Sequence, residues 1–311
     1  MTMAGQLSSQ TPGTMPEWRF PAGALAHGDE AVSLDPDRAG WAYSGLRVLD
    51  LGVRATHDVV LEGVEAVIVP LSARDVEVSV DDVSYRLAGR DGVFASVSDW
   101  LYAPVGSRVR IHGTGGEIAM CTAVAEDVHP VVYTPAADVP VEVRGSGRAT
   151  RQVTNIATPD SFAGAQRINV CEVLTPGGNW SSWPPHRHDG IGDCLYTNEE
   201  IYYFRLGAGS GPHGSSQARA LFRVYTVDGS VDRTWTLLDG DVVIVPNGYH
   251  GPSVAAPEYP MYFLNVLAGP DPDRTMGFCD DPAHHWIRET WRDQTPDPRC
   301  PMTSDTGQVR P

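Results

Sequence analysis

The chain has 311 residues, with 23 Lys or Arg against 39 Asp or Glu, and its formal net charge at pH 7 is −16. This length fits one large domain or two ordinary ones, and the acidic balance argues against broad electrostatic binding of nucleic acid or anionic lipid. Apolar residues make up 41% of the chain and charged residues 20%, as in globular proteins, while 32 Gly and 25 Pro favour turns and short strands over long helices.

Targeting signals and cysteines both point to a cytoplasmic protein. Residues 1–16 lack the charged start and apolar centre of a signal peptide, so we expect a loose tail there. No apolar run approaches the roughly 18 residues of a membrane-spanning helix. The five cysteines are Cys121, Cys171, Cys194, Cys279 and Cys300. Because they are odd in number and contain no Cys-x-x-Cys, we expect neither a disulfide framework nor a cysteine zinc site.

Short β-rich runs separated by turn residues predict an all-β protein whose antiparallel strands form a sandwich or a barrel. The first series of predicted strands covers residues 46–51, 64–71, 76–80, 92–95, 108–111 and 117–123. The second series covers residues 167–174, 200–205, 221–227, 241–245 and 261–267. Residues 133–147, with two prolines, lie between the two series and are predicted to connect two halves.

A weak internal repeat supports the division into halves. A β-rich run ends in Pro-x-Gly at Pro104, and another ends in the same way at Pro246, 142 residues later. Together with the two strand series, this indicates a duplicated chain. The predicted organisation is an N-terminal tail and lead-in at 1–40, a first unit at 41–132, a connection at 133–147, a second unit at 148–287 and a C-terminal tail at 288–311.

The second half contains a candidate metal site. His186 and His188 are two residues apart, so in an extended strand both imidazoles project on one face, about 6.5 to 7 Å apart, and can bind one cation. Glu200 begins a later strand and His250 follows the second Pro-x-Gly, which adds a carboxylate and a third imidazole. Such a set suits Zn, Mn, Fe, Co or Ni. We predict one divalent metal per chain, zinc first and Mn, Fe or Ni as alternatives.

The spacing of these ligands resembles the metal signature of cupins, Gly-x5-His-x-His-x3–4-Glu-x6-Gly followed by Gly-x5-Pro-x-Gly-x2-His. Gly207 keeps the x6 spacing after Glu200, but eleven residues separate His188 from Glu200, and a single residue separates the second motif's last glycine from His250. The resemblance implies a bicupin, with two tandem antiparallel β-barrels of the double-stranded β-helix or jelly-roll type. The first barrel would be metal-free, since it lacks His-x-His and Arg108 stands near the place of His250.

Longer strings are more specific. Residues 175–189 (TPGGNWSSWPPHRHD), 199–205 (EEIYYFR) and 239–250 (DGDVVIVPNGYH) resemble the bicupin sugar-acid isomerase family that contains 5-deoxy-glucuronate isomerase of inositol catabolism, and the resemblance covers about residues 40–287. It implies conversion of 5-deoxy-D-glucuronate to 5-dehydro-2-deoxy-D-gluconate, an aldose–ketose isomerisation in which a bound divalent metal stabilises developing negative charge.

Strand alternation suggests further site residues. Tyr202 shares the strand face of Glu200 and is expected near the metal, and Tyr225 is a second catalytic candidate. An anionic substrate of an acidic protein needs a fixed guanidinium, for which Arg223, on the face of Tyr225, is the first candidate. Arg187 and Arg151 are the next candidates for binding the substrate carboxylate.

Two other functions fit the same residues. Three histidines and a glutamate also bind Fe(II) in a cupin dioxygenase, which would consume oxygen with its substrate. A sugar-binding bicupin without catalysis would bind its ligand without turnover. In each case the expected partner is a small molecule, a sugar acid for the isomerase, with no nucleic acid and no membrane, and we expect a homo-oligomer.

Overall fold

Strands account for almost all the regular structure of the computed structural model, which describes residues 17–208 and 214–309. The first strands are β1 (Arg19–Phe20), β2 (Glu30–Leu34), β3 (Ser44–Asp50), β4 (Thr56–Val60), β5 (Val64–Pro70), β6 (Arg74–Val80), β7 (Val83–Gly89), β8 (Trp100–Ala103), β9 (Arg108–His112), β10 (Glu117–Val124), β11 (Val132–Thr134) and β12 (Val141–Arg144).

The later strands are β13 (Arg151–Ala157), β14 (Asn169–Thr175), β15 (Trp180–Ser181), β16 (His186–Arg187), β17 (Glu199–Leu206), β18 (Ala220–Tyr225), β19 (Asp232–Leu237), β20 (Val242–Val245), β21 (Tyr249–Ala255), β22 (Met261–Ala268), β23 (Cys279–Asp280), β24 (Thr303–Ser304) and β25 (Gly307–Gln308). The helices are short: α1 (Pro36–Ala39), α2 (Ile287–Thr290) and three 3-10 turns at Ala136–Asp138, Gly214–Gln217 and Trp291–Asp293. Neither α-helix in these two ranges is long and apolar enough to cross a membrane.

The two halves repeat one strand order. In the first half, a six-stranded sheet has the order β11-β8-β5-β10-β3-β2 and a four-stranded sheet has the order β4-β9-β6-β7. In the second half, a seven-stranded sheet has the order β1-β20-β17-β22-β14-β13-β12 and a six-stranded sheet begins β19-β18-β21-β16. Pro104 follows β8 and Pro246 follows β20, which occupy the same position in their sheets. The described strands of the two halves therefore follow the same order in both of their sheets.

The large sheets of the two halves pack against each other. Alternate residues of β5 face different cores: Ala66 and Ile68 point into the core of the first half, whereas Val67 and Val69 pack in the core shared with the second half. Both faces of β5 are thus buried, which explains why its sequence is an almost continuous apolar run rather than an alternating one.

The chain termini are more structured than predicted. Of the N-terminal tail and lead-in, residues 1–16 lie outside the described residues, but β1 joins the sheet of the second half and β2 joins that of the first. The C-terminal segment also packs on the protein, since Thr303 bonds to Gln152 and the Val97 amide donates to the Ser304 carbonyl. Residues 310 and 311 lie outside the described residues.

Two further expectations are corrected. Residues 92–95 form a turn, and the strand of this region is β8, eight residues later. Cys194 and Cys279 form a disulfide across 85 residues, although the cysteine spacing predicts none. The pairing escapes sequence reasoning because the two cysteines meet only through the pairing of β16 with β23, which places Cys279 opposite Arg187.

Candidate metal centre

Three histidines converge between the two sheets of the second half. His186 on β16 is the cross-strand partner of His250 on β21, and the two ring centroids lie 4.5 Å apart. The His186 and His188 centroids are 6.3 Å apart, which fits the spacing of two side chains on one face of an extended segment. One nitrogen from each of the three rings lies within 4.8 Å of the others.

Glu200 reaches this cluster from β17 in the opposite sheet. Its Oε2 atom lies 3.0 Å from Nε2 of His188 and 3.0 Å from Nε2 of His250. The carboxylate and both imidazoles are buried. The site is therefore assembled from both sheets, with the histidines on β16 and β21 and their adjoining loop, and the carboxylate on β17.

The hydrogen bonds of the rings fit a cation at this point. Nδ1 of His188 lies 2.8 Å from the Asn198 carbonyl oxygen, which can only accept, so Nδ1 donates there and Nε2 is the nitrogen that faces Glu200 Oε2. Nε2 of His250 is buried and faces the same carboxylate oxygen at 3.0 Å. Protons on the rings or a shared cation can hold these three atoms together, so this donor set fits a divalent metal.

The titration behaviour reflects the same crowding. Burial and the neighbouring imidazoles of His250 and His188 hold the pKa of His186 well below its usual range. Burial alone would raise the pKa of Glu200, but the adjacent His250 and His188 outweigh it and lower that pKa strongly. The carboxylate thus stays ionised in the interior. A buried negative charge flanked by imidazoles is the electrostatic environment that a cation needs.

The backbone of β21 is shaped for a close approach. Gly251, next to His250, has φ +105°, and a Cβ atom there would lie 1.9 Å from the Ser182 carbonyl oxygen. Ser182 precedes the histidine strand by four residues and lines the same cavity. Glycine therefore allows the loop before His186 to lie directly against the strand that carries His250.

The ligand cluster opens into a cavity of about 750 Å³. His186, His188 and Glu200 line one part of it, and residues of β12, β13, β14, β17 and β22 form the wall. The wall follows the strand register: Tyr202 pairs with Asn265, which pairs with Cys171, which pairs with Asn155, and all four line the cavity. The inner face of the seven-stranded sheet is thus a continuous row of side chains beside the histidine cluster.

Of the other predicted residues, Tyr202 and Arg151 line this cavity, and Tyr202 is the one beside the histidines. Its ring centroid lies 6.0 Å from that of His250, and burial together with the charge of Glu200 raises the pKa of its phenol well above the usual value. Tyr225 lies outside the cavity, where its hydroxyl donates to Asp281.

The two predicted substrate arginines are also placed elsewhere. Arg223 is 38% exposed and forms a two-pronged ion pair with Asp232, with its guanidinium 4.2 Å from the centre of the Tyr225 ring. The apolar residues of β18 point inward, so Arg223 faces outward. Arg187, the second residue of β16, is buried but pairs with Asp189 and Asp193 of the following loop, and it does not line the cavity.

Several cavity residues were missed. Asn265 could have been found from its alternation with Phe263 and Leu267 on a predicted strand, but its amide gave no chemical signal without the metal ligands beside it. Phe278 and Arg288 reach the cavity through long-range packing of the C-terminal segment, for which the sequence has no local pattern.

Fold and site together define an all-β, cupin-like protein with three histidines and a glutamate around one cavity. The family model described as the KduI/IolB family matches residues 20–287. The chain belongs to this family.

Curated and solved relatives agree with this assignment. The 5-deoxy-glucuronate isomerase of Geobacillus kaustophilus is 38% identical over 264 residues, which covers 83% of this chain and 91% of the relative. The crystal structure of an IolB-like protein from Salmonella typhimurium superposes with a TM-score of 0.77 at 31% identity, covering 88% of this chain and 99% of that one. A mutant oxalate decarboxylase of Bacillus subtilis superposes with a TM-score of 0.57 at 13% identity, covering 86% and 80%, and so shares the fold.

Proposed function

We propose that this protein is a metal-dependent aldose–ketose isomerase that converts 5-deoxy-D-glucuronate to 5-dehydro-2-deoxy-D-gluconate. The observation that carries the proposal is the position of Glu200 Oε2, 3.0 Å from two imidazole nitrogens beside a cavity of about 750 Å³. The relative from Geobacillus kaustophilus bears the name of that isomerase. The matching strand orders of the two halves support a bicupin, with two tandem barrels of which the second holds the site.

The proposed metal ligands are His186, His188, Glu200 and His250, and they bind one divalent ion, zinc in the first place and Mn, Fe or Ni otherwise. Three neutral imidazoles and one carboxylate suit all of these metals. The isomerisation needs no change of oxidation state, so a metal without redox chemistry suffices. When bound, the ion supplies Lewis-acid stabilisation of negative charge on the substrate oxygens.

The chain's own residues handle protons and position. The reaction moves one proton between adjacent carbons and another between adjacent oxygens, through an enediolate. Tyr202 lines the cavity next to Glu200 on the same strand face, and it is the proposed catalytic residue that donates a hydrogen bond or a proton to a substrate oxygen. Tyr225 and Arg223 lie outside the cavity and take no part in this scheme.

The test is product analysis. Purified protein is incubated with 5-deoxy-D-glucuronate, and NMR is expected to show loss of the aldehyde and formation of the keto acid, with no oxygen consumed. Glu200→Gln is expected to abolish turnover. Oxygen uptake that depends on substrate would instead indicate a dioxygenase, and tight binding without turnover by metal-replete protein would indicate a sugar-binding protein; either result contradicts the proposal.

We also propose a cytoplasmic location and a homo-oligomer. The apolar side chains of Val141 and Val143 on the edge strand β12 are more than a third exposed, which supports an association surface there. Light scattering coupled to size exclusion measures the mass directly. A mass near the 33.6 kDa of one chain would contradict the oligomer.

A further inference from the structure

We propose that Arg151 binds the carboxylate of the substrate, at the end of the cavity formed by β12, β13 and the C-terminal segment. This inference rests on the proposed function, because it assigns a binding residue for an acidic sugar. The position follows from strand alternation: Arg151, Val153 and Asn155 line the cavity, while Gln152 between them faces the C-terminal segment and bonds to Thr303.

Arg151 is buried without a counter-ion. The residue is 6% exposed, and its Nη1 atom donates to the Ala149 carbonyl oxygen. Within residues 17–208 and 214–309, no carboxylate forms an ion pair with it. A buried guanidinium without an anion is costly, and arginine in proteins almost never occupies such a position unless a partner is supplied. The Arg151 side chain lines the cavity, so a ligand bound there can supply the missing partner.

The other two arginines of the cavity already have partners. Arg144 pairs with Glu142 on the same strand, and Arg288 forms a two-pronged ion pair with Asp280. These pairs leave Arg151 as the cavity arginine, among the residues described, whose charge is not balanced. Its guanidinium lies 5.7 Å from the centre of the Trp291 ring, and Arg288 lies 5.3 Å from the same ring. The indole therefore holds the two cations side by side.

The electrostatics favour an anion at this place. Burial, together with the positive charges of Arg144 and Arg288, lowers the pKa of Arg151 to about 9. The guanidinium remains protonated at neutral pH, although burial and the neighbouring positive charges both destabilise its charged form. A carboxylate relieves both effects and accepts two parallel hydrogen bonds from the guanidinium fork, whereas a neutral hydroxyl relieves neither fully. The net charge of −16 repels an anionic substrate, so such a local cation is required.

The arginine end is joined to the metal ligands by packed rings. The His186 ring centroid lies 4.9 Å from that of Phe278, and the guanidinium of Arg288 lies 4.8 Å from the Phe278 centroid. Trp291 then connects Arg288 to Arg151. One elongated cavity thus has imidazoles and a carboxylate in one part and guanidinium groups in another, which matches a substrate with an aldehyde at one end and a carboxylate at the other.

The experiment compares an acidic and a neutral sugar. Binding of D-glucuronate and of D-glucose to the purified protein is measured by calorimetry for the wild type, Arg151→Gln and Arg151→Lys. Arg110→Gln is the matched control, because Arg110 is an arginine paired with Asp58 on the exposed surface of the first half. We expect Arg151→Gln to weaken D-glucuronate binding at least tenfold without changing D-glucose binding, and Arg151→Lys to recover part of the loss. The control is expected to behave as wild type.

Kinetics supply an independent readout. With 5-deoxy-D-glucuronate, Arg151→Gln is expected to raise KM at least tenfold while the metal content stays at the wild-type level. Arg151→Lys, which keeps the charge, serves if Arg151→Gln does not fold. Equal D-glucuronate affinities in the wild type and both folded variants would overturn the proposal, and so would a wild type that binds D-glucuronate no more tightly than D-glucose.

The two proposals fail differently. A wild type that does not isomerise 5-deoxy-D-glucuronate, but whose D-glucuronate binding depends on Arg151, would refute the proposed function and leave the anion site in place. A wild type that isomerises the substrate, with KM and anion binding unchanged in Arg151→Gln, would refute the anion site and leave the function in place.

Discussion

Asn265 is a buried amide with an unused donor. It is 4% exposed, its Nδ2 has no hydrogen-bond partner among the described residues, and its Oδ1 lies 4.0 Å from the thiol sulfur of Cys171. A buried polar group left unpaired costs about 1–3 kcal/mol. Because Asn265 pairs in register with Tyr202 and lines the cavity, we infer that its amide donates to a substrate oxygen.

Replacing Asn265 by alanine is therefore expected to lower kcat/KM at least tenfold and to leave metal content unchanged. The melting temperature of the ligand-free variant should stay close to that of the wild type, since the replacement breaks no hydrogen bond donated by Nδ2. Steady-state kinetics, elemental analysis and thermal melting give the three values. A folded variant with wild-type kcat/KM would contradict the inference that Asn265 donates to the substrate.

The histidine ligands give a direct prediction of metal content. The purified protein is expected to hold close to one equivalent of divalent metal, and the double replacement of His186 and His188 by alanine to lose most of it, because a single imidazole and a carboxylate remain. Elemental analysis measures both. His129 to alanine, outside the ligand cluster, is the control. Full metal in the double variant contradicts the assignment.

At the scale of residues, the spacing of side chains along the chain predicted the histidine and glutamate cluster, whereas residue type alone did not place the substrate arginines. His-x-His on one face and the later Glu200 and His250 were identified from the sequence, and the structure brings all four together. Arg223 was misplaced because a period of two tells which residues share a strand face, but not which face points inward. The inward face of β18 is the apolar one.

The elements explain why the two halves differ. Ala66 pairs with Ala103, the last residue of β8, and Glu200 pairs with Val245, the last residue of β20. Ala66 thus takes the place of Glu200. In the same way Arg108, which pairs with Val60, takes the place of His250, which pairs with His186. Val60, Ala66 and Arg108 provide no ligand set like that of the second half, so among the residues described the repeated strand order brings three histidines and a glutamate together in the second half.

Gly251 tests how far the strand geometry controls the site. Gly251→Ala would place a Cβ atom 1.9 Å from a backbone oxygen, so we expect the variant to lose stability and to bind metal at least tenfold more weakly. Gly229→Ala is the control: its φ of +71° is also positive, but among the described residues nothing lies within 4 Å of the added atom. Metal titration of both variants separates the clash from the backbone strain. Equal affinity in the two variants would contradict the prediction.

Most long strands could be predicted, but the elements that close the site could not. The apolar runs at 64–71 and 261–267 correspond to β5 and β22, because buried strands have a strong apolar pattern. The two-residue strand β16 has no pattern of its own, and it exists through its pairing with β21 and β23. Phe278, next to β23, reaches the cavity through that pairing, which joins segments about 90 residues apart.

The two halves are joined by a buried ionic network. Arg90, from the first half, pairs with Glu172 on β14, which also accepts a hydrogen bond of 2.7 Å from Tyr262. Both charged side chains are 1% exposed, and Arg90 also donates to the Pro70 and Ser96 carbonyl oxygens. The buried charge of Arg90 is therefore compensated by Glu172 and by two carbonyl oxygens, and removal of any one partner would leave a polar group unpaired in the interior.

Removing one member of this network should be costly. Arg90→Ala leaves the Glu172 carboxylate buried and unpaired, and we expect the free energy of unfolding to fall by about 3–5 kcal/mol. Denaturant titration measures this loss. Arg90→Met combined with Glu172→Leu should recover much of it, because no charge is left uncompensated. Arg110→Ala, whose partner Asp58 is exposed, is the control and should unfold close to wild type. An Arg90→Ala midpoint equal to that of the control contradicts the prediction.

The pairing of β1 with β20 has a consequence for synthesis of the chain. Phe20 leaves the ribosome about 220 residues before its partner Val242, which at about 5–20 residues per second is a delay of roughly 10–45 seconds. In the folded chain Nε and Nη2 of Arg19 both donate to Oδ2 of Asp241. Until β1 docks, β20 is the edge of the seven-stranded sheet. The described strands of the first-half sheets all come from residues 30–134, whereas the seven-stranded sheet is completed only by β1, a strand made long before its partner.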